Sequence, residues 1–156
     1  MDTLTKIQKY LDQNNALYEV ILHEEAYTFQ ELAQVLYTPG GEFAKVVVVK
    51  TNGDYRMAAL PASRRIDLEA LKRAWNAGSV ALASEQEIKE LFPEAEIGAM
   101  PPFGNLYDIE VWVDTSLTQD KHITFNAGTH YNAVRVLYRD FERLVHPRVA
   151  CFSVPI

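Results

Sequence analysis

Two stretches of the 156-residue chain place side chains or backbone where their type and spacing suit chemistry. In the first, Glu42-Phe43-Ala44-Lys45 runs into Val46-Val47-Val48-Val49, so a cation stands at the very start of an apolar, β-branched run. A lysine so placed has an apolar wall and few competing waters, which makes its compact ammonium a good point charge for a phosphate or a developing oxyanion. The same residues also suit a lysine whose stem covers a sheet edge while its head stays in water. In the second, Gly98-Ala99-Met100-Pro101-Pro102-Phe103-Gly104 sets two prolines between two glycines. Prolines stiffen such a loop and glycines let a ligand approach its backbone, so N–H and C=O groups can be aimed without side chains in the way. A plain rigid connector between helix and strand reads the same.

Other familiar catalytic patterns are absent: the chain has no Gly-x-Ser-x-Gly elbow, Gly-x-Gly-x-x-Gly turn, phosphate-binding Walker loop or His-Glu-x-x-His helix. The single cysteine, Cys151, lies in an apolar tail beside Phe152 and reads as structural; alone it supplies neither an internal disulfide nor a thiolate cluster. His23, His122, His130 and His146 are scattered without ligand spacing, so each reads as a structural histidine and no metal or cofactor is expected. His23 differs in following a strand and preceding Glu24-Glu25.

The elements that must position these residues follow from periodicity. Leu4, Ile7 and Leu11 predict an amphipathic helix that Asn14-Asn15 ends. Leu17 to Leu22 reads as a strand, and Thr28-Phe29-Gln30-Glu31 as the capping box of a helix that Pro39-Gly40-Gly41 stops. Ala44 to Lys50 and Tyr55 to Leu60 form a hairpin through Asn52-Gly53, and the unalternating valines predict an interior strand covered on both faces. Asp67 and Ser84 each cap a helix, through Trp75 and about Phe92, with a short strand from Val80 to Ala83 between them. Strands are expected at Ile109 to Val113, His122 to Asn126 and Asn132 to Tyr138, before a last short helix beginning at Asp140 and ended by Pro147. Helices scattered among hairpin strands give an α+β fold, a central mixed and mostly antiparallel sheet with helices outside it. With no repeat or linker, residues 1–156 read as one domain.

Fifteen basic against 21 acidic residues give a net charge of −6, which excludes a generally basic DNA coat or a polybasic membrane binder. Contact with nucleic acid must then be local, and Arg64-Arg65 and Lys72-Arg73 are the candidates, although a solvated helix face explains them too. No apolar run approaches the roughly 20 residues that span a bilayer, and the polar N-terminus lacks a secretory h-region, so a cytoplasmic location is expected.

Taken together, Ala44-Lys45 opening a hydrophobic strand and the later Gly98, Pro102, Phe103 and Gly104 loop resemble the YbaK/prolyl-tRNA synthetase-associated family of editing domains. The resemblance extends through the N-terminal helix, the strand ending near His23, the hairpin, the Asp67 helix, the strand reaching Asn126-Ala127-Gly128, and Asp140-Phe141 with Leu144 in the closing helix. Val46 replaces the threonine that often follows the lysine, and Thr129-His130-Tyr131 is bulkier than expected after Ala127-Gly128. Leu144-Val145-His146-Pro147 departs from the Gly-His-x-Pro pattern of some members, so His146 is not carried over as catalytic.

The resemblance implies a barrel-like sheet and a freestanding hydrolase, a trans-editing aminoacyl-tRNA deacylase acting on the acceptor end of mischarged tRNA, with an aminoacyl-tRNA synthetase as a further partner. It implies Lys45 and Gly98 as catalytic, and His23, Pro102, Phe103, Gly104, Asn126 and Gly128 as substrate-binding. Lys45 would hold the terminal phosphate or ribose, and backbone groups around Gly98 and Gly104 the aminoacyl group and the water. An activated ester needs only a positioned water and a stabilised oxyanion, so the lack of a Ser-His-Asp set is no objection. The alternatives are a catalytically silent module binding an aminoacyl-adenosine-like ligand or a synthetase, and a nucleic-acid adaptor, which the net charge disfavours.

Overall fold

The computed structural model describes residues 2–22 and 42–156. At the hairpin tip Asn52 and Gly53 both take positive φ, 49° and 85°. That geometry matches the right-handed twist of the two strands it joins, β2 (Ala44–Thr51) and β3 (Asp54–Pro61), which pair along their whole length. The remaining strands are β1 (Tyr18–Leu22), β4 (Arg64–Ile66), β5 (Ala81–Leu82), β6 (Glu110–Asp114), β7 (His122–Asn126), β8 (Asn132–Leu137), β9 (Arg148–Ala150) and β10 (Ser153–Pro155). The helices are α1 (Thr3–Gln13), α2 (Leu68–Ala74), α3 (Glu85–Leu91) and α4 (Tyr138–Val145).

The strands form a mixed sheet in the order β5-β2-β3-β6-β9, an antiparallel sheet β1-β8-β7 and a small β10-β4 pair. β3-β6 and β6-β9 are parallel and the other ladders antiparallel. A single parallel bridge, Phe43 with Thr124, joins the first two sheets into a barrel-like wall. Alternation along β2 then decides what is inside. Ala44, Val46 and Val48 enter the main core with Phe103, Val113, Phe125 and Phe141. Val47 and Val49 face the opposite way, onto Ala58, Leu60, Leu71 and Phe152. The valine run is therefore covered on both faces of an interior strand, as its lack of alternation requires.

Helix ends follow local chemistry. Asp67 accepts from the Ala70 N–H at 3.2 Å, and Ser84 with Glu87 forms a reciprocal capping box. The last helix begins at Tyr138 and not at Asp140, because the Tyr138 N–H is satisfied by the Lys121 carbonyl at 2.9 Å and no side-chain cap is used. Asp140 sits within its first turn, where a carboxylate suits the helix dipole. β4, β9 and β10 lie where no strand was expected. The expected helix at Thr28 lies outside the described residues. No helix among the described residues is long and apolar enough to cross a membrane.

Gly104 opens a short 3-10 turn, Gly104–Tyr107, and is held against the chain that follows it. A Cβ there would lie 2.5 Å from the Ile109 carbonyl oxygen and 2.8 Å from Val111 Cγ2. Gly104→Ala should therefore lower the unfolding free energy by about 1 to 3 kcal/mol, read as a lower denaturant midpoint at unchanged slope. Gly53→Ala, with nothing within 4 Å of the new methyl, should cost only the strain of its positive φ, about 1 kcal/mol.

Candidate active site

Lys45 is the second residue of β2, and alternation turns it to the same side as Phe43, away from the main core. Burial of its stem strips water from the ammonium and holds its pKa below the ordinary lysine value. Among the described residues the ammonium has no hydrogen-bond or ion-pair partner. Lys50 on the same strand shows the contrast: it pairs with Glu87 at 3.0 Å, and that partner raises its pKa.

The parallel bridge fixes what stands beside Lys45. Thr124 donates its N–H to the Glu42 carbonyl at 3.1 Å, bringing Phe43 level with Thr124. Two residues further along each strand come Lys45 and Asn126, both on the face that Phe43 and Thr124 share. Ile123 and Phe125 point the other way, into the core. Asn126 is 7% exposed, and its Oδ1 is buried without a hydrogen-bond partner among the described residues. Phe43, Ala62 and Ala133, with Ile21 packed on them, give this face an apolar floor, and Ala133 is the β8 residue paired with Asn126.

Past Asn126 the chain meets the glycine loop. The Gly128 N–H donates to the Ala99 carbonyl at 2.8 Å, and the Glu96 N–H donates to the Gly128 carbonyl at 2.7 Å. Gly128, at φ +97°, packs so closely on α1 that a Cβ would lie 2.5 Å from Thr3 Cβ. Gly98 has φ +87° and is exposed, so its backbone is presented without a side chain. His130 lies over it: a Cβ on Gly98 would be 3.5 Å from His130 Nε2. Glu96 holds that histidine, accepting the His130 N–H at 2.8 Å and lying 3.6 Å from Nδ1 with the same oxygen.

The structure thus ties Gly128 to Ala99 and Glu96 by hydrogen bonds and sets His130 over Gly98, while the register of the bridge puts Lys45 and Asn126 on the same face of neighbouring strands. It does not bring the second half of the loop with them. Pro102 and Gly104 are buried. The Phe103 ring is fully enclosed, 5.3 Å from Phe125, 5.6 Å from Phe141 and 6.1 Å from Tyr10. In the fold Pro102, Phe103 and Gly104 serve as an anchor in the aromatic core, which fixes the loop behind the exposed Gly98. His23 lies outside the described residues. His130 is the residue that sequence spacing missed, because the Gly98 contact and the Glu96 hold both arise from folding. Its bulk after Ala127-Gly128 was the one available signal.

The other candidates lie apart. His122 Nδ1 is 3.2 Å from an Arg135 nitrogen, and His146 ends α4 with φ 52°. Cys151 is exposed and donates to Thr115 Oγ1 at 3.3 Å, so Phe152 alone is the buried member of that pair. Arg64 is engaged with Ser153, at 2.7 Å to its hydroxyl and 3.1 Å to its carbonyl, leaving Arg65 and Arg73 as the exposed cations of the two basic pairs. Among the described residues no group of three or more His, Cys, Asp or Glu is placed to hold a metal ion.

Among the described residues, then, the Lys45 ammonium has no counterion and Asn126 Oδ1 no donor, while Gly98 presents an exposed backbone beside a carboxylate-held histidine. Residues 23–144 match the aminoacyl-tRNA editing domain family, and the chain belongs to that family. Its class of reaction is hydrolysis of the ester of mischarged aminoacyl-tRNA. Among its relatives is the multifunctional Ser/Thr-tRNA deacylase ProXp-y of Escherichia coli K12, 29% identical over 147 residues, 91% of this chain and 87% of the relative. Another is the prolyl-tRNA editing protein ProX of Acetoanaerobium sticklandii, 22% identical over 151 residues, 93% of this chain and 92% of that one. A solved structure described as that of a candidate trans-editing enzyme for prolyl tRNA synthetase superimposes with a TM-score of 0.85 at 19% identity, covering 99% of this chain and 98% of the other.

Because its pKa is lowered, charged Lys45 costs stability. That cost is constant below the folded-state pKa, fades as pH rises between that value and 10.5, and is gone above it. Lys45→Met should then raise stability at neutral pH. Denaturant titrations should find the gain shrinking as pH approaches the unfolded lysine value.

Proposed function

We propose that the chain removes wrongly attached amino acids from tRNA, with Lys45, Gly98 and His130 around the scissile ester. The observation that carries this reading is the partly desolvated Lys45 ammonium, without a partner among the described residues, on the same face as Asn126, whose strand leads through Gly128 to the glycine loop. Attack of water on the ester carbonyl puts negative charge on its oxygen. An ammonium with no counterion gains more from that developing charge than from the neutral carbonyl, so it lowers the barrier and not only the binding energy. Backbone groups at Gly98 hold the aminoacyl end, and His130, oriented by Glu96, stands ready to accept a proton from the attacking water. The free hydroxyl of the terminal adenosine takes part in the same transfer.

The names of the relatives suggest where the substrate search begins: tRNAs charged with serine or threonine, and mischarged prolyl-tRNA, with prolyl-tRNA synthetase as a partner in the same proposal. With a net charge of −6, grip on the acceptor end rests on local cations such as Arg65 and Arg73, so KM should rise steeply with salt.

A deacylation panel across tRNAs charged with each amino acid tests the proposal. The expected outcome is release above the uncatalysed rate for at least one of them, unaffected by chelator. Lys45→Ala should lower kcat/KM by about 10²-fold with folding intact. Lys45→Arg should restore it only in part, because a planar fork is longer and differently directed. No release from any charged tRNA would leave the silent binding module as the reading.

A further inference from the structure

Asn126 ends β7 with a side-chain carbonyl oxygen that nothing among the described residues satisfies. An asparagine at a strand end commonly bonds a nearby backbone N–H to shape the following turn. That explanation fails here, because Asn126 Oδ1 accepts no such bond and the Ala127-Gly128 turn is closed by backbone groups instead. The Ala127 N–H goes to the Asn132 carbonyl at 3.0 Å and the Gly128 N–H to Ala99. Lys45, on the same face, does not donate to it either. Among the described residues it is the only side-chain carbonyl oxygen that is buried and partnerless. Leaving an acceptor so costs stability that an apolar residue of similar size would not.

We propose that Asn126 is a specificity-determining residue whose Oδ1 accepts a hydrogen bond from the α-ammonium of the aminoacyl group, so that the enzyme hydrolyses esters with a free amino group and spares N-blocked ones. This rests on the deacylase reading. The floor beside Asn126 is apolar, formed by Phe43, Ala62 and Ala133, and a desolvated carbonyl gains about twice as much from a charged donor as from a neutral one. A ribose hydroxyl would use the site less well. On this face Lys45 and Asn126 are, among the described residues, unpaired groups of opposite demand, and an aminoacyl ester answers both: its carbonyl oxygen needs a cation and its ammonium needs an acceptor. Lys45 takes the first and Asn126 the second. The amino group is common to all aminoacyl esters, and peptidyl-tRNA lacks it. An acceptor that reads it therefore separates mischarged tRNA from chains in synthesis without reading the side chain.

The experiment compares kcat/KM for one charged tRNA, the best substrate of the panel, with kcat/KM for the same tRNA after N-acetylation. It uses the wild type, Asn126→Leu and Asn126→Asp. Leucine removes the acceptor without making room, so relief of a steric clash cannot imitate the result. It also removes a buried partnerless group, so folding should hold, and aspartate keeps an acceptor if it does not. The wild type should prefer the free amine by about 10- to 100-fold, the worth of one hydrogen bond to a charged group. Asn126→Leu should lose that preference, falling on the free amine and not on the acetylated substrate. Asn126→Asp should keep it. A wild type indifferent to acetylation, or a preference that survives in Asn126→Leu, overturns the proposal and leaves the deacylase reading standing. No hydrolysis of either substrate by the wild type overturns both.

Discussion

The Phe43 and Thr124 bridge is one residue pair long, and the arrangement of the site depends on it. Without it the mixed sheet and the β1-β8-β7 sheet would share a core but no backbone register, and nothing would set Lys45 level with Asn126. Parallel pairing is what puts them on one face, since counting forward from the bridge moves both strands the same way. The bridge is braced from the same side. Glu42 lends its carbonyl to the Thr124 N–H, and its carboxylate receives Arg135 Nε at 2.7 Å, which ties β8 to the start of β2. An ion pair with one partner 14% exposed is screened far less than a surface pair, so it can hold register where a single hydrogen bond would slip.

A second constraint is steric. Glu96, Ala99 and Gly128 exchange backbone hydrogen bonds only if Gly128 takes a positive φ and lies against Thr3, and both conditions exclude a side chain. The N-terminus of α1 thus acts as a backstop for the glycine loop. At the other end Phe103 plugs the loop into the aromatic core. A segment fixed at Gly128 and at Phe103 has little freedom between, so the backbone at Gly98 is presented already ordered, and little conformational entropy remains to be lost on binding.

What sequence reading could see follows from this. The hairpin, the Asp67 and Ser84 caps and β7 were legible because each is set by residues within a few positions of one another. The strands β4, β9 and β10 were not, since each is three residues long and exists only through a distant partner, Arg64 with Pro155 or Trp112 with Arg148. The start of α4 was misplaced for the same reason: its cap is the Lys121 carbonyl and not a neighbouring side chain. In the site, the placing of Lys45 before its valines was visible, as was the glycine spacing. Burial of Phe103 was hidden because its partners, Tyr10, Phe125 and Phe141, are spread along the whole chain. So was the empty acceptor of Asn126, for no spacing records a hydrogen bond that is not made.

On the roles proposed for Lys45 and Asn126, that missing bond accounts for a site that works without a strong nucleophile. A partnerless buried acceptor and a desolvated ammonium each cost stability, on the order of 1 to 3 kcal/mol for the acceptor, within a total that is typically about 5 to 15. In water these groups would be satisfied and would offer a ligand little, since every contact would replace one already present. Partly desolvated, and without partners among the described residues, they are satisfied together by something that brings a donor and a negative charge. The ground-state ester supplies the donor in full but only a partial charge, and the tetrahedral intermediate supplies both. In the proposed role the demand of Lys45 is therefore answered most completely at the transition state, which is the condition for raising kcat and not merely tightening binding.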